Sequence, residues 1–424
     1  MQVHKFGGAS LSSLERYKST SEIIRDVVEK PALLVISALG KTTNALEKVA
    51  EAYFAGRKEE AIELFYQVKQ THENLAKYLL ITEGLACEQR MLDFFTEVEW
   101  MLHDNPVKSF DYYYDQIVCV GELLSSTLLS HYLQEIGVAN VWIDVRDVLK
   151  TEDIFREARV NWEQTTRNVE LYIQPLLNEG KLVITQGFIG STDENESTTL
   201  GREGSDFSAA LFGNILNAEK VTIWKDVPAV MNADPRVFKE TIELPELSYA
   251  EVVEMAYYGA QVIHRKTIKP LFEKQIPLYV KSFLDPALSG TIISHSKVQD
   301  LPPIMVMKKN QVMLEFQSKD FAFIGDAYLG KLFELFEQIR LKPNLTQNAA
   351  IRYYAVFDEH DEKLSALAEA ASQWLQVMVR KNLTLVTIRH PQNGKLPEMV
   401  GGKKVIITQE SPEVAQYLIE DIAS

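Results

Sequence analysis

Three short stretches of the 424-residue chain combine charge, glycine and hydroxyl groups in ways that could do chemistry. Near the start, Lys5-Phe6-Gly7-Gly8-Ala9-Ser10 runs a lysine into two glycines. Unpaired backbone N–H groups in such a turn suit an anion, glycines let it approach closely, and Lys5 adds a full positive charge. Taken alone, the stretch reads equally as a tight turn with a surface lysine. The second stretch is Thr198-Thr199-Leu200-Gly201-Arg202-Glu203-Gly204-Ser205-Asp206. Arg202 can grip a carboxylate bidentately, and Ser205 and Asp206 stand at a helix start; the plainer reading is a solvated loop that caps a helix. The third runs from Trp224-Lys225-Asp226-Val227-Pro228 to Asn232-Ala233-Asp234-Pro235-Arg236, and by itself it is also an ordinary Asp-Pro turn.

Each stretch needs a scaffold, and the surrounding pattern supplies one. Gln2 to Phe6 alternates as a strand does, and Ser12-Ser13-Leu14-Glu15 carries a capping-box pattern that opens a helix, so the glycines sit at a strand-to-helix turn with helix amides facing back. Residues 32–37, 181–188, 221–226 and 276–281 read as buried strands, with a further strand at 141–144. Residues 45–103 have helical spacing throughout, 121–136 form an amphipathic helix, and another helix starts at Asp206. After Ser248 a helix carries the capping pair Ser248 and Glu251, with Gly259 as its C-cap. Apolar strands alternating with helices predict a three-layer α/β domain over residues 1–295, with its ligand loops at the C-terminal strand ends.

The character changes around Leu301-Pro302-Pro303. Beyond it the order strand, helix, strand, strand, helix, strand is that of a ferredoxin-like module. The division expected is a module over 303–380 and an abbreviated second one over 381–424, whose last 35 residues read as two strands and a final helix.

Composition narrows the function. A net charge of −15 argues against a nucleic-acid surface and an anionic membrane. Two cysteines, Cys87 and Cys119, build no disulfide framework, and no CxxC spacing offers a metal site. With no signal-peptide pattern at the start and no apolar run of membrane length, the expectation is a cytoplasmic protein in its reduced state.

In this order and at these separations, KFGGAS, VISALGKTTN, GELLSS, QGFIG, TTLGREGSDFSAA, KDVPAVMNADPRV and GAQVIH resemble the aspartate kinases of the amino-acid kinase superfamily over roughly residues 1–295. The resemblance implies ATP and Mg²⁺ as cofactors and transfer of the γ-phosphoryl group to the side-chain carboxylate of L-aspartate. That is the first step toward lysine, threonine, methionine and diaminopimelate. It implies that Lys5 bridges the phosphates while Gly7 and Gly8 offer amides, and that Asp206 orients the catalytic lysines. Arg202 takes the aspartate α-carboxylate, Glu122 its ammonium, and Thr43 and Ser205 add hydrogen bonds beside Ser37 and Phe188. Lys225, Asp226, Met231, Asp234 and Arg236 fall where the family holds the nucleotide, with Gln261 at a phosphate-facing position. No protein side chain is implied as a direct metal ligand; Mg²⁺ rides on the ATP phosphates. The C-terminal modules correspond to ACT-type regulatory domains that bind amino-acid effectors and help form homodimers.

The chain departs from the family pattern at telling places. Many relatives read Gly-Ala-Lys-Val where this chain has Gly259-Ala260-Gln261-Val262, and many have Thr where it has Lys225. Effector loops rich in Ser and Thr are replaced by Thr346-Gln347-Asn348-Ala349-Ala350. Two other readings stand beside the first. An acetylglutamate or glutamate kinase would lack the helical insert at 45–120, and an acylated substrate has no ammonium for Glu122. A non-catalytic amino-acid sensor has no use for Lys5, Arg202 and Asp206 together. A fused homoserine dehydrogenase is not expected within 424 residues.

Overall fold

The computed structural model describes residues 1–260, 262–391 and 402–420. The chain forms two compact units. One comprises Met1–Val230, Glu243–Val253 and Val262–Val298; the other comprises Met231–Ile242, Glu254–Gln261 and Gln299–Ser424.

The first unit is built on an eight-stranded sheet in the order Glu246–Ser248, Thr291–Ser294, Leu278–Ser282, Lys220–Lys225, Gln2–Phe6, Ala32–Ile36, Leu182–Gln186, Val141–Trp142. All neighbours are parallel except Leu278–Ser282 with Thr291–Ser294. Ala32–Ile36 and Leu182–Gln186 are buried at every position, as a parallel strand covered on both faces must be. Phe6 lies opposite both Ile36 and Trp224, and Ile36 opposite Gln186. The loops after these strands therefore leave one edge of the sheet together, which is how stretches two hundred residues apart in sequence meet.

Helices occur where the spacing predicts them: Thr42–Phe54, Lys58–Leu79 and Gly84–His103 form the helical insert, followed by Phe110–Val118 and Val120–Glu135. The first helix opens at Ser12 to Glu15 as expected, but it does not follow the glycines directly. A short 3₁₀ segment, Gly8–Leu11, follows the glycines, and the α-helix Leu14–Asp26 starts after Ser13, whose hydroxyl oxygen accepts the Arg16 amide. The amides beside the glycines therefore belong to the 3₁₀ turn rather than to that helix.

The second unit holds a six-stranded antiparallel sheet in the order Leu345–Asn348, Arg352–Asp358, Ile304–Ser318, Leu375–Arg389, Val414–Glu420, Lys404–Glu410. Its first four strands and the helices Asp326–Gln338 and Asp361–Ser372 follow the ferredoxin-like chain order. Val312, Leu314, Phe316 and Phe357 pack against Leu332, Phe336, Leu364 and Leu367 of the helices. Two details differ from the sequence reading. A single strand, Leu375–Arg389, runs through position 380. Val414–Glu420 is a strand and not a helix, because it pairs on both sides, with Leu375–Arg389 and with Lys404–Glu410. Its apolar spacing suits a helix as well, and tertiary pairing decides. Among the described residues, no helix is long and apolar enough to cross a membrane.

Candidate active site

Lys5, at the penultimate position of its strand, meets the start of the helix Gly204–Ile215. Its Nζ lies 2.7 Å from Asp206 Oδ1, and Lys225 Nζ lies 4.0 Å from Asp206 Oδ2. Asp206 is buried, and burial alone would raise its pKa. The charges of Lys5 and Lys225, with a Lys5 hydrogen bond, hold the carboxyl below its ordinary value instead. Lys225 also donates to Val262 O at 2.5 Å, so the lysine has a fixed reach. One buried carboxylate thus holds two ammonium groups side by side, an arrangement that would repel without it and that suits a polyanion.

The glycine turn packs against the 38–40 loop. Gly40 N donates to Gly8 O at 3.0 Å. A Cβ at Gly8 would stand 2.7 Å from Ala38 O and 2.8 Å from Gly40 O, so no other residue fits. Ser37, at the adjacent strand end, donates its amide to Phe6 O at 3.1 Å, and Thr43 lies in the first turn of Thr42–Phe54; both are half-buried.

Glu122 reaches this place from the helix Val120–Glu135. Its Oε1 accepts the Ala38 amide at 3.3 Å, and its Oε2 is buried with no hydrogen-bond partner among the described residues. Burial pushes its carboxyl up to about 8, although the Ala38 amide and the nearby Lys5 charge pull the other way. A buried carboxylate oxygen with no donor is costly unless a ligand brings one.

The third contribution is the loop from Phe188 to Asp206. Phe188 has φ +70, donates its amide to Ser208 Oγ at 3.0 Å and receives Leu200 N at 2.8 Å. Ser205 is buried, whereas Arg202 is exposed, with no hydrogen bond or ion pair to another described residue. Glu203 accepts the His264 amide at 2.8 Å. Asp226, after Lys225, is exposed.

Met231, Asp234 and Arg236 fall in the second unit. There Asp234 and Arg236 form a two-pronged pair, with Nε–Oδ1 at 3.0 Å and Nη2–Oδ2 at 2.8 Å, and the guanidinium keeps the Asp234 carboxyl below its usual range. Met231 is half-buried. Gln261 lies outside the described residues.

Within the first unit, Lys5, Lys225 and Asp206 form one ion-pair network, with Glu122 close enough to feel the Lys5 charge. Sequence reasoning missed Asp115, a fully buried carboxylate whose three hydrogen bonds hold Arg156 and Thr199. The available signal was an acid inside the apolar run Tyr112-Tyr113-Tyr114-Asp115-Gln116-Ile117-Val118, seven residues before Glu122. It also missed Glu203 and His264, whose contact joins two loops and leaves no local pattern.

Comparison with known proteins bears on this site. The sequence model of the amino acid kinase family matches residues 1–282. The chain is 32% identical to lysine-sensitive aspartokinase 3 of Escherichia coli over 362 residues, covering 84% of this chain and 78% of that one. It is 29% identical to the chloroplastic aspartokinase 1 of Arabidopsis thaliana over 371 residues, spanning 84% of this chain and 63% of that one. The fold matches the crystal structure of E. coli aspartokinase III in complex with aspartate and ADP with a TM-score of 0.82 at 27% identity, covering 99% of this chain and 96% of that one.

Proposed function

The chain belongs to the amino acid kinase family and within it to the aspartokinases, and from that premise we infer that it phosphorylates the side-chain carboxylate of L-aspartate with ATP. The product is 4-phospho-L-aspartate, which opens the biosynthesis of lysine, threonine, methionine and diaminopimelate. The observation that carries the substrate is Glu122: a buried carboxylate oxygen without a donor asks for a free ammonium, which aspartate has and an N-acylated amino acid lacks.

The nucleophile is a carboxylate with a pKa near 4, ionised at neutral pH, so no general base is needed. The barrier is repulsion between that anion and the phosphates, and the protein's task is charge neutralisation and alignment. Lys5 and Lys225, held side by side by Asp206, present two positive charges to the transferring group. Gly7 and Gly8 let the phosphates lie close to the backbone. Arg202 takes the α-carboxylate, Glu122 the ammonium, and Ser37, Thr43, Phe188 and Ser205 line the acceptor side. Asp226 serves the nucleotide. Lys225 supplies the charge that Gln261 does not carry. Mg²⁺ bound to the phosphates would neutralise part of their charge. Asp206 is already occupied by two lysines, so the residues suit an ion that arrives with the nucleotide.

We read the second unit as an ACT-type regulatory region through which the chain forms a homodimer. Cys87 and Cys119 are both buried and free, which suits a reducing cytoplasm. The test of the function is ATP turnover with aspartate, N-acetylglutamate and glutamate as acceptors. Turnover with aspartate alone is expected; preference for N-acetylglutamate would refute the reading of Glu122.

A further inference from the structure

Arg202 sits between two residues of left-handed backbone, Gly201 at φ +75 and Glu203 at φ +55. Glycine takes that conformation freely, but glutamate does so only where the surroundings impose it. Because the Arg202 side chain is exposed and makes no hydrogen bond or ion pair to another described residue, only its backbone limits where the guanidinium can reach, and something must hold that backbone.

Asp115 does so from the helix Phe110–Val118. Its Oδ2 accepts the Thr199 amide at 2.8 Å and the Arg156 amide at 2.8 Å, and its Oδ1 accepts the Thr199 hydroxyl at 2.7 Å. Arg156 is itself left-handed, at φ +69. The segment around it backs the Arg202 loop: Ala158 N donates to Thr199 O at 2.9 Å, and a Cβ at Gly201 would stand 3.2 Å from Arg156 O. One carboxylate therefore fixes both the strand Ser197–Thr199 that leads into the loop and the segment against which the loop rests.

We propose that Asp115 is a positioning residue for the acceptor site, acting through Arg202: it fixes the loop so that the guanidinium is presented to the substrate α-carboxylate. The inference rests on the functional reading above. Charge is not what the position needs, since one oxygen serves both amides; an asparagine keeps that oxygen and an alanine does not.

The experiment is a double-mutant cycle in steady-state kinetics. Asp115→Ala raises KM for aspartate about tenfold and leaves KM for ATP within about twofold, while Asp115→Asn stays within about threefold of wild type for both. In an Arg202→Ala background, Asp115→Ala changes KM for aspartate by less than about twofold. Equal rises in both KM values, or full additivity in that background, overturn the proposal and leave Asp115 a structural staple. Should Asp115→Ala not fold, Thr199→Val, which removes one of the three bonds, decides in its place. Its rise of about threefold in KM for aspartate vanishes in the Arg202→Ala background, and persistence there overturns the proposal. A wild-type enzyme silent toward aspartate overturns the functional reading and this inference with it; an active wild type with an additive cycle overturns this inference alone.

Discussion

Glu122 makes a quantitative prediction about protons. With its carboxyl pushed up to about 8 by burial, Glu122 in the empty site is held mostly protonated at pH 7. The sign follows from the direction of the shift. A raised carboxyl pKa means that the folded protein retains a proton which the unfolded chain releases near 4.5. The group's contribution to stability is therefore complete below that value and is lost as pH rises toward 8, by on the order of 5 kcal/mol in total. Asp115, pushed up to about 6 chiefly by its burial, acts in the same direction over a lower window. A substrate ammonium docking on the unpaired Oε2 favours the ionised form. Aspartate binding at pH 7 should then release most of a proton per site, a release that falls away as pH rises past 8, and KM for aspartate should decrease as pH rises toward 8. Isothermal titration calorimetry in buffers of different ionisation enthalpy reads that release directly. Glu122→Gln should abolish the proton release and raise KM for aspartate roughly 100-fold, as expected for a buried charge partner. A binding enthalpy independent of buffer at pH 7, with wild-type KM in Glu122→Gln, would refute the assignment.

Lys5→Ala should cut kcat by orders of magnitude with the fold intact by circular dichroism, since a point charge on the transition state in a water-excluded site is worth several kcal/mol; near-normal kcat would return the glycine turn to a structural role. Arg202→Ala should raise KM for aspartate far more than KM for ATP in the same assay, and equal effects would assign the guanidinium to the phosphates. Lys225→Thr should lose kcat heavily, and adding Gln261→Lys should restore part of it; an active single variant sinks the exchange of charge between these positions. Light scattering should give a dimer, and lysine or threonine should inhibit weakly, because Ala349 and Ala350 offer no hydroxyls; strong inhibition at low lysine would contradict that reading.

The central strands were legible because they are apolar or alternating and their loops carry glycine and charge at strand ends; the strands Glu246–Ser248 and Thr291–Ser294 at one side of the sheet were not read. Lys5, Arg202 and Asp206 stood out for the same reason: each is a charge within two residues of a glycine where a strand gives way to a helical turn. What the sequence hid depends on distant contacts. Nothing near Asp115 shows that its carboxylate holds Thr199, 84 residues away, and nothing near His264 announces Glu203. The end of the chain failed differently. Val414–Glu420 has apolar spacing that fits helix and strand alike, and the strands on either side of it settle the outcome. Ser12 to Glu15 announced a helix correctly, but the 3₁₀ turn Gly8–Leu11 that precedes it has no such signature.

The central claim is chemical: the phosphoryl group ends on the side-chain carboxylate of aspartate. Hydroxylamine traps an acyl phosphate as its hydroxamate, and mass spectrometry identifies the acid it came from. Incubation of the protein with ATP, Mg²⁺, L-aspartate and hydroxylamine should yield aspartate β-hydroxamate in proportion to the ADP formed. ADP without hydroxamate, or hydroxamate only when N-acetylglutamate or glutamate replaces aspartate, would contradict the account.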